Sequence, residues 1–301
     1  MRRVYRVGLV PGRDLCGTTE EQFGDLLIRL APLATERQQR LAERPDRRRA
    51  PGAGRPPYPF WLRLLVALTH LRQGTTVRAT GAIFGIHERS VRRYRDEVEE
   101  LLVAHGFQPP GVARPIRSLD DLAAYVNDLA EGVVMVDATE VPRSTPYPWE
   151  EQKKAYSGKS KTHVVKTTVI SDQTRRPLWV EANPNGEGRT FDVTMLRSQT
   201  ALLAVLATLA ASGVLVLVDK GFRGLWQDLG VDAVLMPKRK PVGRDYDQEQ
   251  REHNRRVSSA RMPVEHAIGR MKWWRALHYW RRTTDQFDQT SKAIGVLATL
   301  T

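Results

Sequence analysis

The chain is nearly free of cysteine: Cys16 stands alone among 301 residues. A single cysteine excludes an intramolecular disulfide and a zinc site built from cysteines, and it fits a reducing compartment. Histidine does not replace it as a metal ligand, because His253 and His266 have no metal-ligand spacing with another histidine or with the cysteine. We therefore expect a cytoplasmic protein without structural zinc.

Long apolar runs are also scarce. Residues 201–218 form an uncharged run long enough to suggest a membrane span, but Ser212 and Gly213 divide it into an Ala/Leu-rich part and a short VLVLV part. This division predicts a packed helix followed by a buried strand. The first 14 residues hold too short an apolar run for a signal peptide. We expect the protein to stay inside the cell, without a membrane partner.

Acidic residues are outnumbered, with 34 Asp and Glu against 47 Lys and Arg, which leaves a formal net charge of +13. Such a surplus favours a polyanionic partner held in a salt-dependent way, and nucleic acid is the leading candidate. The surplus is concentrated early, since eight arginines and two acids lie between Arg37 and Arg63. Residues 37–59 are therefore predicted to be a flexible, basic, Pro/Gly-rich linker. We expect its arginines to contact phosphate, since so many of them with few acidic neighbours would otherwise repel one another; a solvated linker is the plainer interpretation.

Helices are predicted on both sides of this linker. Residues 1–36 form an N-terminal helical segment whose capping box is Thr18 and Glu21. Residues 60–110 begin with a helix from Phe60 to Leu71 and continue with TTVRATGAIFGIHERSV, which resembles a helix-turn-helix. Gly81, Gly85 and Val91 stand at the motif's positions for a small residue in the first helix, a glycine in the turn and an apolar residue in the second helix. The motif usually has alanine at the first of these positions, and we expect glycine there to weaken the helix slightly without adding a clash. Four arginines on the second helix are candidates for DNA contact: Arg89, Arg92, Arg93 and Arg95.

The rest of the chain predicts an α/β domain. Residues 111–130, which begin with a stretch rich in Pro and Gly, connect this domain to the helix-turn-helix domain. For the helix-turn-helix itself, a plain helical hairpin with a basic surface remains the alternative. Within residues 131–301, periodicity predicts three strands, a helix, two strands and a long helix over about 260–280. This order is that of a ribonuclease-H-like mixed sheet with flanking helices. In that fold the strands that end near Asp137 and Asp219 lie side by side, and the last helix crosses them.

Three carboxylates are the candidate catalytic centre. Asp137 and Asp219 each close an uncharged run rich in β-branched residues, and Glu265 lies in a helical stretch with basic neighbours. An acidic trio suits two-metal phosphoryl transfer, because Mg²⁺ takes oxygen ligands and stabilises an in-line displacement. Two smaller interpretations accompany this centre: Glu140 as a solvated carboxylate rather than a ligand, and Asp192 as the cap of the following helix.

Four motifs in order resemble one family. They are VDATEVP at the first acid, AYSGKSKTHVVKT, DKGFRG at the second acid, and the spacing Arg261, three residues, Glu265, six residues, Lys272. The chain is similar over nearly its whole length to the DDE-superfamily transposases of bacterial insertion sequences, of the family-five-like group. It departs from their pattern at Ser258, where that group has tyrosine.

The resemblance implies an enzyme that binds the terminal inverted repeats of its element, frees a 3′-hydroxyl and joins it to target DNA. It implies two Mg²⁺ ions, with Mn²⁺ as a substitute, held by Asp137, Asp219 and Glu265, and a homodimer on DNA in the nucleoid. Further DNA contacts are expected from Lys159, Lys161, His163, Lys220, Arg261 and Lys272. Two alternatives stay open: a catalytically silent DNA-binding relic or repressor, and a nuclease that cuts without joining.

Overall fold

The structure is a computed structural model that describes residues 11–43, 58–130, 132–184 and 188–301. The chain divides into two compact units. The helical unit comprises Met1–His105, Trp273–Ala276 and Leu300–Thr301, and the sheet unit comprises Gly106–Lys272 and Leu277–Thr299.

In its described residues the helical unit contains five helices: α1 (Arg13–Cys16), α2 (Glu20–Ala42), α3 (Phe60–Gln73), α4 (Val77–Phe84) and α5 (Glu88–His105). The capping box of α2 lies one residue later than predicted, because Thr19 is the N-cap and exchanges hydrogen bonds with Gln22. Helix α2 also extends past Arg37 to Ala42, so the first residues of the predicted linker are helical. Residues 44–57 of that linker lie outside the described residues.

Helices α4 and α5 form the predicted helix-turn-helix. Gly85 ends α4 with a positive φ of 64°, a conformation that glycine adopts without strain, and Val91 on α5 is fully buried. Gly81 differs from expectation, because a Cβ at this position would lie 2.5 Å from the backbone oxygen of Ile86. Glycine is therefore required here by the close approach of the turn, and an alanine would clash.

The part of the sheet unit that the structure describes has six strands: β1 (Val133–Pro142), β2 (Tyr156–Ser157), β3 (Thr162–Ser171), β4 (Pro177–Ala182), β5 (Leu215–Leu217) and β6 (Val234–Leu235). Strand β1 pairs antiparallel with β3 and parallel with β5; β3 pairs antiparallel with β4, and β5 pairs parallel with β6. The short β2 pairs with β3 near His163. This mixed sheet, with helices beside it, confirms the predicted ribonuclease-H-like fold.

The residues described for the sheet unit also form seven α-helices: α6 (Leu119–Asn127), α7 (Trp149–Ala155), α8 (Asp192–Ser198), α9 (Thr200–Ala211), α10 (Trp226–Leu229), α11 (Gln248–Lys272) and α12 (Phe287–Leu300). The succession of α9 and β5 confirms the predicted helix and strand within residues 201–218. Among the described helices, none alone has the length and apolar composition of a membrane span. Helices α8 and α9 meet that test only as a pair, which is bent by 99°.

Helix α11 differs from the predicted helix over about 260–280. It begins at Gln248, continues through Pro263 and ends at Lys272. Arg261 and Glu265 therefore lie on one continuous helix, which packs against β1 and β3. The tryptophans beyond α11 are mainly core residues, since Trp274 and Trp280 are buried.

Candidate catalytic centre and nucleic-acid contacts

Asp137 and Asp219 lie at the same level on neighbouring parallel strands. Met135 of β1 is opposite Leu217 of β5, and each aspartate follows two residues later. Asp137 is within β1, which continues to Pro142, whereas Asp219 follows the end of β5. The Asp219 Oδ1 atom accepts a hydrogen bond of 2.6 Å from the backbone nitrogen of Gly221 and so caps a 3₁₀ turn.

Asp137 is the most perturbed carboxylate of this centre. Burial raises the pKa of Asp137 to about 6, and the negative charges of Asp219 and Asp192 act in the same direction. The Arg261 guanidinium and the backbone N–H of Ala138 oppose this rise but do not cancel it. Negative charge at Asp137 is therefore costly unless cations lie close by.

Helix α11 supplies one such cation. The Arg261 Nη2 atom donates a hydrogen bond of 2.8 Å to Asp137 Oδ2, and both side chains are largely buried. Glu265 follows Arg261 by one helical turn on the same side of α11 and is exposed. In the described residues, no three Asp, Glu, His or Cys side chains are grouped so as to hold a metal ion. Glu265 thus does not complete a three-ligand set with the two aspartates in this arrangement.

Asp192 is a third carboxylate at the centre that the sequence interpretation missed. The N-cap of α8 is Phe191, so the prediction that Asp192 caps this helix is wrong. The Asp192 carboxylate instead accepts a hydrogen bond of 3.1 Å from Lys166 Nζ. It also lies against Gly221, because a Cβ on that glycine would run into Asp192 Oδ2 and approach Asp219 Oδ1. In the sequence, only Gly221, two residues after Asp219, hinted that another group packs closely against this turn.

The ligand type at this centre suits a hard divalent cation, although the described carboxylates are not grouped as a three-ligand site. Asp137, Asp219 and Asp192 offer carboxylate oxygens, the ligand type that Mg²⁺ prefers, and the charges of Asp219 and Asp192 raise the pKa of Asp137. The charge of Arg261 lowers the pKa of Asp137 but does not cancel the effect of burial, and the buried Nε atom of Arg261 makes no hydrogen bond. A divalent ion at the two aspartates would offset their repulsion.

Glu140 lies three residues beyond Asp137 on β1, and the prediction that it is a solvated carboxylate is wrong, because its side chain is largely buried among polar partners. Its carboxylate accepts hydrogen bonds from Ser157 and Ser160, and Lys166 Nζ lies 3.3 Å from it. Burial alone would raise the pKa of Glu140, but these hydrogen bonds and the lysine charge hold it below its usual value. Glu140 thus fastens the segment that contains Lys159 to the sheet.

The predicted DNA contacts near the centre differ in exposure. Lys159, Lys161 and Lys272 are exposed, and His163 is half-buried with its ring edge-on to Tyr156. Lys220 is exposed and donates a hydrogen bond of 3.2 Å to the hydroxyl of Tyr246. Arg261 is buried against Asp137, so the structure gives it a partner inside the protein rather than a position on the surface.

The arginines of the helix-turn-helix divide in the same way. Arg89, Arg92 and Arg93 are exposed on α5. Arg95 is buried and pairs with Asp96 over 2.7 Å, which leaves it unavailable for DNA in this arrangement. Three of the four predicted arginines are thus accessible to a phosphate or a base edge.

Comparisons with known proteins identify the families that this chain matches. The family described as DDE superfamily endonuclease matches residues 136–301, and the family described as helix-turn-helix of DDE superfamily endonuclease matches residues 62–108. A protein of Microchaete diplosiphon, described as "Probable transposase for insertion sequence element IS702", is 26% identical over 238 residues, which are 79% of this chain and 76% of that protein. No solved structure gives a significant match to the chain.

These matches confirm the resemblance to DDE-superfamily transposases of insertion sequences, and a helix-turn-helix joined to a DDE endonuclease implies that the partner is DNA. The endonuclease match covers more than half of the sequence, including the strands of both aspartates and the helix of Glu265. The chain therefore belongs to the DDE superfamily of endonucleases.

Proposed function

We propose that this chain is a transposase that binds the terminal inverted repeats of an insertion sequence, cleaves the element ends and joins them to target DNA. The observation that carries the proposal is the placement of Asp137 and Asp219 at one level on neighbouring parallel strands, with Arg261 and Glu265 on the helix that packs there. The preceding helix-turn-helix supports recognition of a DNA sequence, and the name of the Microchaete diplosiphon relative supports transposition.

Endonucleases of this superfamily generally use divalent metals. In the proposed site Asp137 and Asp219 would hold Mg²⁺, or Mn²⁺ in its place. Glu265, which the structure does not group with them, would complete a second position or orient water. Bound divalent ions promote attack by an oxygen nucleophile and stabilise the leaving oxygen. Arg261 orients Asp137 and balances part of its charge, while Asp192, held by Lys166, limits the room beside Asp219.

The proposed reaction has two balanced steps. In the first, a water oxygen attacks the phosphorus at the element end, the bond from phosphorus to the 3′ oxygen breaks, and that oxygen gains a proton. In the second, the freed 3′-hydroxyl attacks a target phosphorus and loses its proton, and the displaced target oxygen gains one. Lys159, Lys161, Lys220 and Lys272 are the exposed cations that we assign to the phosphates near this centre.

Two ends have to be held together for joining, so we propose that a homodimer acts on DNA in the cytoplasm, within the nucleoid. The exposed arginines of α5, Arg89, Arg92 and Arg93, would then bind one terminal repeat in each protomer. Arg95 and Arg261 are left out of the proposed DNA contacts because both are buried in ion pairs.

The test is a cleavage and joining assay with Mg²⁺, using DNA that carries the inverted repeats flanking the gene. The native protein is compared with Asp219→Asn and with Asp232→Asn, which alters an exposed acid after β5 as a control. The proposal requires metal-dependent products from the native protein and the control alone. Binding without cleavage would indicate a silent DNA-binding relic, and cleavage without joining would indicate a nuclease.

A further inference from the structure

A groove of about 1190 Å³ opens beside the proposed centre in the sheet unit. Its floor is the part of β1 that directly follows Asp137, from Ala138 to Glu140. One wall comes from α7 and the segment after it, and the other wall from residues 188–192. The groove adjoins the proposed centre, because Asp137 directly precedes the floor and Asp192, whose charge acts on Asp137, is part of the lining.

Three large aromatic side chains line this groove and remain exposed. Trp149 is 60% exposed, Phe191 is 77% exposed and Tyr156 is 43% exposed. Their ring surfaces are not needed for the core, which contains other aromatics such as Trp280. Exposed aromatic surface that gathers in one concave site marks a place for a ligand with flat, apolar faces.

The positive charge of the groove indicates that the ligand also carries negative charge. Five lysine and arginine side chains line it, against the two carboxylates of Glu140 and Asp192. Both carboxylates are already bound by Lys166, which is buried and bridges them over 3.3 and 3.1 Å. The exposed cations Lys159, Arg189 and Lys272 are therefore left to attract an anion. Lys153 lies over the ring of Trp149, with Nζ 5.5 Å from the ring centre.

The walls are fixed to each other and to the floor before any ligand arrives. The backbone nitrogen of Arg189 donates a hydrogen bond of 2.9 Å to the Lys154 oxygen, and Lys166 Nζ donates one of 2.9 Å to the Thr190 oxygen. Glu140 holds the opposite wall through Ser157 and Ser160. The exposed rings are thus carried on a braced site, which lowers the entropic cost of binding.

We propose that this groove binds unpaired nucleotides of a DNA strand, with bases stacked on Phe191 and Trp149 and phosphates on the surrounding cations. Single-stranded nucleic acid combines flat apolar faces with regularly spaced negative charge, and its recognition uses aromatic platforms in basic grooves. Paired bases in a duplex hide the faces that these rings would cover. The inference rests on the proposed function and adds that the strands near the cut are unpaired when bound.

The test measures binding of a fluorescent, short single-stranded oligothymidylate and of a blunt duplex by anisotropy, without metal. Phe191→Ala and Trp149→Ala should each weaken oligothymidylate binding by at least about fivefold, the lower end for loss of one stacking side chain. Duplex affinity should stay unchanged. Tyr279→Ala removes a 40% exposed aromatic outside the groove and should leave both affinities unchanged.

The inference is overturned if both groove variants bind oligothymidylate as the native protein does, or if they lose duplex affinity by the same factor. Because the assay needs no cleavage, it separates this inference from the proposed function. If oligothymidylate binding depends on the groove aromatics but the protein neither cuts nor joins DNA, only the proposed transposase function is contradicted. If the protein joins DNA and its groove variants bind oligothymidylate normally, only the proposed binding of unpaired nucleotides is contradicted.

Discussion

Arg261 on α11 donates a hydrogen bond of 2.8 Å to Asp137 on β1, across 124 positions of sequence. This pair ties the helix of the third acid to the strand of the first. It also supplies the counter-charge nearest to a buried carboxylate whose pKa is raised to about 6. The pair therefore links the stability of the sheet unit to the electrostatics of the proposed centre.

Loss of Arg261 should destabilise the protein markedly. Arg261→Ala leaves Asp137 buried without its partner, which should reduce the free energy of unfolding by about 3 kcal/mol. Arg256→Ala is the matched control, since it removes an exposed arginine of α11 paired with Glu252 and should cost no more than about 0.5 kcal/mol. Urea denaturation measures both, and equal losses in the two variants would contradict a buried pair.

The three acids should act on chemistry rather than on binding. Asp137→Asn, Asp219→Asn and Glu265→Gln should each abolish cleavage but leave the affinity for terminal-repeat DNA within about twofold, because they remove no basic contact. Gel-shift titration beside a cleavage assay measures the two effects. A variant that loses binding and cleavage together would show that its acid supports the DNA interface.

The exposed arginines of α5 should set the salt dependence of binding. Arg92→Ala combined with Arg93→Ala should weaken terminal-repeat binding and reduce the slope of log affinity against log salt by about two. The control pair is Arg29→Ala with Arg40→Ala, which removes two exposed arginines from α2. Similar slopes for both double variants would place the recognition surface elsewhere.

Gly81 should tolerate no side chain. Gly81→Ala forces a Cβ against the Ile86 oxygen and should destabilise the helical unit by about 1 to 3 kcal/mol. Gly24→Ala is the control, because nothing lies within 4 Å of its Cβ position in α2, and it should stabilise the protein by about 1 kcal/mol. Thermal unfolding followed by circular dichroism distinguishes the two signs; stabilisation by both alanines would refute the close approach.

The hydrogen bonds and ion pair of Glu140 should give a pH-dependent contribution to stability. Because the folded state holds the pKa of Glu140 below its ordinary value of 4.5, the contribution is present above 4.5 and is lost as pH falls through the folded pKa. The difference in unfolding free energy between the native protein and Glu140→Gln should therefore shrink on acidification below 4.5. Urea titrations over that range measure it, and a constant difference would mean that the carboxylate charge contributes nothing.

The sequence contained enough information for the sheet and for the two aspartates. Runs of β-branched residues before Asp137 and Asp219 predict buried strands, and the order of elements predicts that these strands are neighbours. The start of α11 was missed because residues 248–256 contain no apolar side chain, so no helical period is visible there. The burial of Arg95 was legible in principle, since it falls in the stripe of Val91, Val98 and Leu102.

Asp192 and Arg261 could not be placed from local patterns. Asp192 reaches the centre because Lys166 on β3 donates hydrogen bonds to Asp192 and to the Thr190 oxygen, which holds the start of α8 against the sheet. Arg261 meets Asp137 because α11 continues through Pro263, a residue that ordinarily ends or kinks a helix. Both relationships depend on tertiary packing that no short window of sequence records.

The most direct test of the account is the joining step itself. Terminal-repeat DNA with its 3′-hydroxyl already freed is incubated with a supercoiled plasmid, Mg²⁺ and either the native protein or Asp219→Asn. The account predicts plasmid molecules covalently joined to the repeat's 3′ end with the native protein, and none with the variant. Joining that persists in Asp219→Asn, or its absence from the native protein while the repeat is bound, would contradict it.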